Sequence, residues 1–593
     1  MTPARPFYDD KTNLYASAVR LLQKRLAGIA LLRLAAFTAL AVSTWYLTKG
    51  YSAAGLLLTL VLLLVFIIFI KLNFRLKDRK ALLEQLLYVN RNEQGVLDDR
   101  PNGFPDGKEW LTPSSYLDDL DIFGPRSLFH LLNRTTTSHG KERLAELLSH
   151  PLLPVTEIEK YQSAVKTLAQ QPDGRQLLTA RGLLAGEKEG NLHSLVDWLS
   201  APSRLTRKKW LLVLRWVLVA YNLSAILYYL STDNYIPLLA GILLAWTITG
   251  SFTAYISRQH ILIGKKQAIL DQYASILAGF NTMETGDSIL LQELQARTER
   301  AHKAVRRLSQ LSSFFDQRLN VLVNIFLNSL LLYDLQCMIA LEKWKEANKT
   351  EFPEWIRAVG AIECLNSLAS FAFNNPDYAY PLPVTGEKLF IDATALAHPL
   401  IPATERVPND TAIGRVERLI LVTGSNMSGK TTFLRTIGVN LLLAQCGAPV
   451  CAAAFSFSPM QLLTSLRVSD SLQEHTSYFM AELKKLQQIV HHLQTGAPSL
   501  VLIDEILRGT NSEDKTYGSE QFIRKLLHYH CLSLFASHDL SLGALEKDLP
   551  GLVSNYCFES VIEADELHFN YRLQKGIARN RNASFLMKKM EII

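Results

Sequence analysis

An α/β domain built on buried parallel strands, joined to a long all-α region and two apolar helical hairpins, is the architecture this sequence predicts. Three observations predict it. Residues 418–423 form a short apolar run leading into Gly424-Ser-Asn-Met-Ser-Gly-Lys-Thr431, and Thr432 to Gln445 follows with apolar residues at helical spacing until Gly447. Four apolar runs of spanning length come in two pairs, each pair joined by a short turn. Much of the sequence between residues 121 and 345 outside those runs repeats apolar residues with a helical period.

The strand, loop and helix context is what the GxxxxGK[ST] pattern requires. Gly424 and Gly429 let the backbone turn so that successive N–H groups and a helix N-terminus face one concavity, suited to phosphate oxygens. Lys430 supplies a point charge for the β- and γ-phosphates, and Thr431 places a hydroxyl where it can ligate Mg²⁺. ATP and Mg²⁺ are the expected ligands, with Gly424, Ser425, Asn426, Met427, Ser428, Gly429, Lys430, Thr431 and Thr432 around the phosphates. Ser499 to Glu505 is an apolar strand ending in two carboxylates, as a Walker B segment does. Asp504 is expected to hold the Mg²⁺ ion and Glu505 to polarise the attacking water. Positioning and electrostatics dominate phosphoryl transfer, so Lys430 and this pair form the expected catalytic centre. A further apolar strand ends in His538, placed to sense the γ-phosphate or orient water.

The 593 residues allow about four units at ~150 residues each, and a sizeable core. A net charge of +7 is compatible with nucleic acid or an anionic membrane but selects neither, because many basic residues flank apolar runs. Cys337, Cys364, Cys446, Cys451, Cys531 and Cys557 include no CxxC pair and sit in apolar contexts, so they read as reduced core residues. No zinc site is indicated.

Leu26–Leu47 and Ala53–Ile70 read as a membrane hairpin rather than a cleaved signal, given the second run and the basic residues Lys71, Arg75, Lys77, Arg79 and Lys80. Arg33 lies near enough to the end of its run to snorkel. Trp210–Leu230 and Tyr235–Ile256 form a second pair. Arg204, Arg207, Lys208 and Lys209 precede it, Arg258, Lys265 and Lys266 follow it, and its turn carries only Asp233. The first hairpin has the same bias, with Lys24 and Arg25 before it and only Lys49 in its turn. Four spans thus place both termini, the helical region and the nucleotide loop on the cytoplasmic side of a cell membrane. Val321–Leu332 is apolar but interrupted by Asn320, Asn324, Asn328 and Asp334, and is expected as a buried helix of the soluble part. Pro, Gly, Asn and Asp mark linkers at Arg100–Pro113 and Asn374–Pro383.

Val407-Pro-Asn-Asp410, Thr423 to Arg435, Asp470 with Ser477 to Glu482, Asp504-Glu505, Arg508-Gly-Thr510 and Ser537-His538 together resemble the ATPase domain of the MutS family, over roughly the C-terminal third. Asp121–Leu153 with Tyr161–Val165, Glu363–Ala369 and His398–Leu400 resemble the family's helical core and lever more loosely. The fold class implied is an α/β P-loop ATPase domain, ABC/MutS-like, plus an all-α core and lever domain and two transmembrane helical hairpins. The expected division is a cytoplasmic N-terminal segment at 1–25, the first hairpin at 26–72, a linker at 73–112 and the first part of the core at 113–203. The second hairpin follows at 204–258, lever and core helices at 259–375, and the ATPase domain at 376–593.

The resemblance also implies a composite site. Ser477 matches a signature serine that completes the γ-phosphate site of a second subunit, so a homodimer is implied, with residues 508–514 crossing its interface. Adenine is implied to lie between Arg406 or Val407 and Tyr571, with Asn409 among the nucleotide-binding residues.

Departures from the family pattern accompany the match. Ser425 and Ser428 stand where the family usually has Pro and Gly, Tyr478 where it has threonine, and Leu507 and Lys515 replace two glycines around the dimer loop. None removes a catalytic group, and together they point to a divergent branch. The mismatch-probing domain with its Phe-x-Glu wedge has no counterpart before the first hairpin, and Phe352-Pro-Glu354 fits those letters by chance. The second hairpin stands about where the family inserts its DNA-clamping domain, and no endonuclease-like domain is expected after the ATPase. A membrane-anchored dimeric ATPase acting on mismatched or otherwise structured DNA is therefore what the resemblance implies. The alternative is an ABC-like mechanochemical ATPase acting on a membrane partner without DNA, since no Lys/Arg stripe with interleaved aromatics marks a nucleic-acid groove.

Overall fold

The computed structural model describes residues 4–578 apart from 51, 113–114, 153, 185–192, 387, 426, 468–477, 508–510 and 564–565. Two antiparallel helices, Ala4–Lys49 and Ala53–Leu97, open the chain. Ser52 caps the second by accepting a hydrogen bond from Gly55 N. At 1.5 Å per residue each is about 70 Å long, roughly twice the hydrocarbon thickness of a bilayer. The half near the turn exposes Leu31, Leu34, Leu57 and Leu64. The other half belongs to the folded body, where Tyr8, Asn90 and Glu93 are buried. Residues 73–112, expected as a linker, are thus helical through Leu97. The charges after Lys71 keep helical spacing, and the Pro, Gly and Asp cluster that breaks a helix starts only at Asp98.

Tyr8, Glu93 and the core meet in a buried network. Tyr8 OH donates to Asn374 Oδ1 at 2.7 Å, and Asn374 Nδ2 donates to Glu93 Oε2 at 2.7 Å. Arg134 grips the Glu93 carboxylate through Nε and through Nη2 at 2.9 Å. The Arg134 guanidinium holds the Glu93 carboxyl below its ordinary range, although burial alone, the largest influence, would push it up.

Asn374 is the last residue of Phe352–Asn374, the central helix of the all-α region. That helix is long and apolar enough to cross a membrane, yet it is mostly buried and packs on Ser138–Ser149 and Val155–Ala169. Its buried Glu363 accepts hydrogen bonds from Thr136 N at 2.9 Å and Thr137 N at 3.1 Å, and from both threonine hydroxyls at 2.5 Å. A buried carboxylate so satisfied pins that loop to the core. Among the described residues, the other four helices of comparable length and hydropathy are the pairs Ala4–Lys49 with Ala53–Leu97 and Lys209–Thr232 with Ile236–Ile263; their apolar windows are largely exposed.

The stretch from Val321 differs from expectation. It is a helix, Val321–Leu331, but Val321, Leu322 and Phe326 are exposed, and its buried residues are Asn328 and Ser329. The polar stripe that argued for burial faces the protein, and the apolar stripe faces outward. Leu332, with φ of +47°, ends it, and Tyr333–Asn348 leaves at 82°.

Ten strands follow: β1 Leu382–Pro383, β2 Ile391–Leu396, β3 Asn409–Ile413, β4 Leu419–Gly424, β5 Ala454–Phe457, β6 Gln461–Ser465, β7 Ser499–Asp504, β8 Cys531–Ser537, β9 Val553–Glu563 and β10 Glu566–Lys575. One sheet has the order β1-β5-β2-β3 and the other β10-β9-β4-β8-β7-β6, parallel except for the β9–β10 hairpin. β4, β7 and β8 are buried along their whole length, as parallel strands covered on both faces are. All six cysteines are buried and unpaired by disulfides, as their apolar contexts predict.

Candidate active site

Strand order explains why distant residues meet. β8 lies between β4 and β7, with Thr423 beside Ser537 and Asp504 beside Ala536, so three strand ends deliver the glycine loop, His538 and the Asp504-Glu505 pair to one edge. Gly424, at φ of +153°, closes β4; a Cβ there would lie 2.8 Å from Phe558 O and from Ser428 Oγ. Gly429, at φ of +106°, opens the helix Lys430–Gln445, and a Cβ there would press on the Tyr571 ring at 3.2 Å. Met427 takes a φ of +67° at the exposed tip. Asn426 lies outside the described residues.

Lys430 is buried and folds back over the loop, donating to Gly424 O at 3.0 Å and Ser425 O at 2.9 Å. Thr431 Oγ1 donates to Asp504 Oδ2 at 2.5 Å, so the two expected metal ligands already touch. Glu505, held at φ of +55°, places Oε1 3.5 Å from His538 Nε2 and 3.8 Å from Lys515 Nζ. Lys515, one of the departures from the family pattern, therefore reaches the carboxylate expected to act on water. His538 Nε2 is also 3.3 Å from Lys430 Nζ. Burial and the Lys430 charge hold the His538 imidazole below its ordinary pKa against the pull of Glu505 and Asp504. The ring thus stands between a cation and a carboxylate, with its neutral form favoured.

Lys430, Thr431, Asp504, Glu505 and His538 line a cavity of about 650 Å³ together with Thr432, Arg406, Val407, Asn409 and Tyr571. Asn409 Nδ2 donates to Tyr571 O at 3.0 Å, and Asn409 Oδ1 accepts from Leu573 N at 2.7 Å. Asn409 is a staple between β3 and an irregularity in β10 where Tyr571 adopts φ of +52°. Arg406 donates to Tyr378 OH at 2.5 Å and to Cys451 Sγ at 3.1 Å, which commits its guanidinium to the wall. Ser477 and residues 508–510 lie outside the described residues.

Sequence reasoning missed the groups behind the site. Asp119, fully buried, accepts from Thr464 Oγ1 at 2.6 Å, Leu466 N at 3.1 Å, Arg467 N at 2.9 Å and Lys485 Nζ at 2.7 Å. Asp121 accepts from Arg467 Nη1 at 2.7 Å and from Arg435 Nη1 at 3.0 Å. Arg435 stands on the helix that starts at Lys430, and Arg467 and Lys485 stand on either side of residues 468–477. One acidic turn of the all-α region therefore touches both the loop helix and the two approaches to Ser477. The only signal in the sequence was the acid-rich Asp118-Asp119-Leu-Asp121, which names no partner. His398, also on the cavity wall, is held at a pKa of about 4 by burial and the Arg435 charge.

Family models match both halves of this arrangement: MutS domain III over residues 116–372 and MutS domain V over residues 420–590. The chain belongs to the MutS family. The domain III match runs across the second hairpin, Lys209–Ile263. Curated relatives include the DNA mismatch repair protein MutS of Protochlamydia amoebophila, 33% identical over 233 residues, which are 38% of this chain and 26% of the relative. The protein of that name in Clostridium kluyveri is 32% identical over 221 residues, 36% of this chain and 25% of its own. Human MutS protein homolog 4 is 31% identical over 236 residues, 37% of this chain and 24% of its own. The chain thus spans about a quarter of the length of the curated relatives it matches.

The MutS-family loop fits a nucleotide on this chain's own geometry. Its concavity exists because positions 424 and 429 lack a Cβ, and the buried Ser428 Oγ within it has no hydrogen-bond partner among the described residues. Thr431 and Asp504 would hold Mg²⁺, whose charge would offset that developing on phosphoryl oxygens.

Proposed function

We propose that this chain is a membrane-anchored MutS-like ATPase, in which ATP binding and hydrolysis at a composite homodimer site are coupled to DNA of mismatched or unusual structure. The observation that carries the reading is the convergence of Lys430, Asp504, Glu505 and His538 on one cavity at the ends of β4, β7 and β8. Lys430 binds the β- and γ-phosphates, and Thr432, Asn409 and Tyr571 complete the pocket. Glu505 takes the proton of the attacking water, and His538, 3.5 Å from Glu505, orients that water or reads the γ-phosphate. Lys515 restrains Glu505. Ser477 acts on the nucleotide of the partner copy, so closure of the dimer completes each site.

Residues 113–203 and 259–375 serve as core and lever, and 376–593 as the ATPase domain. Asp119 and Asp121 link the two. The exposed apolar windows of the helix pairs and the basic residues at their ends support a multi-pass protein in a cell membrane, with the ATPase domain and both termini in the cytoplasm.

A second reading has its own support. The Tyr8–Asn374 hydrogen bond ties the first hairpin to the end of the central helix, one step from the ATPase domain. That link suits a mechanochemical ATPase acting on a membrane partner without DNA.

ATPase activity of the detergent-purified protein, with and without homoduplex, mismatched and branched DNA across a salt series, separates them. Stimulation by DNA that weakens as salt rises is expected. Neither binding nor stimulation by any DNA would overturn the DNA reading and leave the mechanochemical one.

A further inference from the structure

We propose that Val321–Leu331 is a membrane half-helix, inserted beside the second hairpin into the acyl-chain region of the bilayer, so that the lever helix Tyr333–Asn348 is anchored in lipid at its start. This rests on the membrane reading of the hairpins and adds a lipid contact that the four spans do not include.

The helix is turned inside out for a soluble protein. Val321, Leu322, Ile325 and Phe326 are 67, 81, 51 and 66% exposed, while Asn328 and Ser329 are buried. Water on that surface would leave four large apolar side chains unburied, at a hydrophobic cost. Acyl chains remove the cost.

Several of its polar groups find partners in the protein, as hydrocarbon demands. Asn320 caps the first turn by accepting from Val323 N at 3.3 Å. The last turn leaves carbonyls without helical partners, and Asn222 Nδ2 donates to two of them, Ser329 O and Leu330 O, both at 3.2 Å. Trp246 Nε1 donates to Ser329 Oγ at 2.8 Å, and Asn328 Oδ1 accepts from Asp334 N at 2.9 Å. Asn222 and Trp246 lie well inside Lys209–Thr232 and Ile236–Ile263, so the docking point is along the hairpin's length rather than at its ends. The half-helix packs on both hairpin helices.

Length fixes the mode of insertion. Eleven residues rise about 16 Å, half of a bilayer's hydrocarbon thickness, so the segment enters the membrane without crossing it. The 82° break at Leu332 turns the chain away again. The preceding helix, Ala301–Asp316, exposes Arg300 at its cap and Lys303, Arg306 and Arg307 along its length, charges of the sign that anionic headgroups attract.

The test uses the full chain in lipid nanodiscs, spin-labelled at Leu322→Cys or Phe326→Cys. The native cysteines are buried, which restricts labelling to the new thiol. Leu227→Cys on the second hairpin and Val416→Cys on the ATPase domain, both well exposed, serve as lipid and water references. Labels at 322 and 326 are expected to match 227, open to oxygen and shielded from a water-soluble nickel complex. Nickel access like that at 416, with 227 still shielded, would overturn the half-helix and leave the membrane reading standing. Nickel access at 227 as well would overturn both. Shielding of 322 and 326 from both probes would mean that a protein surface, from a second copy or a partner, covers the patch and lipid does not.

Discussion

Asp119→Asn perturbs a buried contact between the all-α region and the segments that flank residues 468–477. Asp119 and Lys485 are both buried, with side chains 0% and 7% exposed, and their ion pair is 2.7 Å long. Removing one charge strands the other in a low-dielectric interior, which costs about 3–5 kcal/mol. Lys485 Nζ keeps Arg467 O at 3.0 Å, so the lower end of that range, about 3 kcal/mol, applies. The amide also puts an NH2 where one carboxylate oxygen accepted, facing either the Arg467 N–H or the Leu466 N–H. At about 2 °C per kcal/mol for a unit of some 200 residues, the unfolding midpoint of the detergent-purified protein falls by about 6 °C. Asp119→Asn with Lys485→Met removes the stranded charge and recovers more than half of the loss. ATP turnover falls in the single variant while ATP binding persists, because Arg467 and Lys485 flank the segment that holds Ser477. A midpoint equal to wild type, or no recovery in the double variant, would refute this account of the contact.

Two further outcomes are expected. His398 has a folded pKa of about 4, below the ordinary imidazole value of about 6.5, so the unfolded chain binds a proton there that the folded chain does not; stability is lost as pH falls from about 6.5 to about 4, by about 3 kcal/mol in all. His398→Asn keeps an acceptor for Leu400 N and should flatten that part of the pH dependence, and an unchanged profile would rule the residue out. Lys430→Ala removes a charge-assisted contact to phosphate worth about 1.5–3 kcal/mol, so ATP affinity, read by titration with a fluorescent analogue, should fall about 10- to 100-fold. Equal affinity would contradict the placement of Lys430.

The nucleotide site was legible because its parts are local. Gly424 to Thr431 is contiguous, and Asp504, Glu505 and His538 each end an apolar strand, so β4, β8 and β7 had only to lie side by side. Partners across the chain were not legible. Asn409 was placed at the nucleotide, but its amide staples Tyr571 and Leu573, a role that depends on the register of β3 against β10. Asp119 finds Thr464 and Lys485 only after folding. The misreading of Val321–Leu331 has a different origin: periodicity reports that a helix has a polar and an apolar face, and is silent on which one meets the protein. The linker expected at 73–112 rests on the Pro, Gly, Asn and Asp of Arg100–Pro113, and the residues before that cluster continue the helix to Leu97.

Glu505→Gln in the full-length protein puts the assigned chemistry to its most direct test. Single-turnover hydrolysis of ATP with Mg²⁺ is measured beside equilibrium ATP binding for wild type and variant. Glu505 stands within 3.5 Å of His538 on the cavity wall, so the variant should bind ATP as wild type does and hydrolyse it at least about 100-fold more slowly. Undiminished hydrolysis in the variant, or no hydrolysis by wild type under any condition that supports binding, would contradict it.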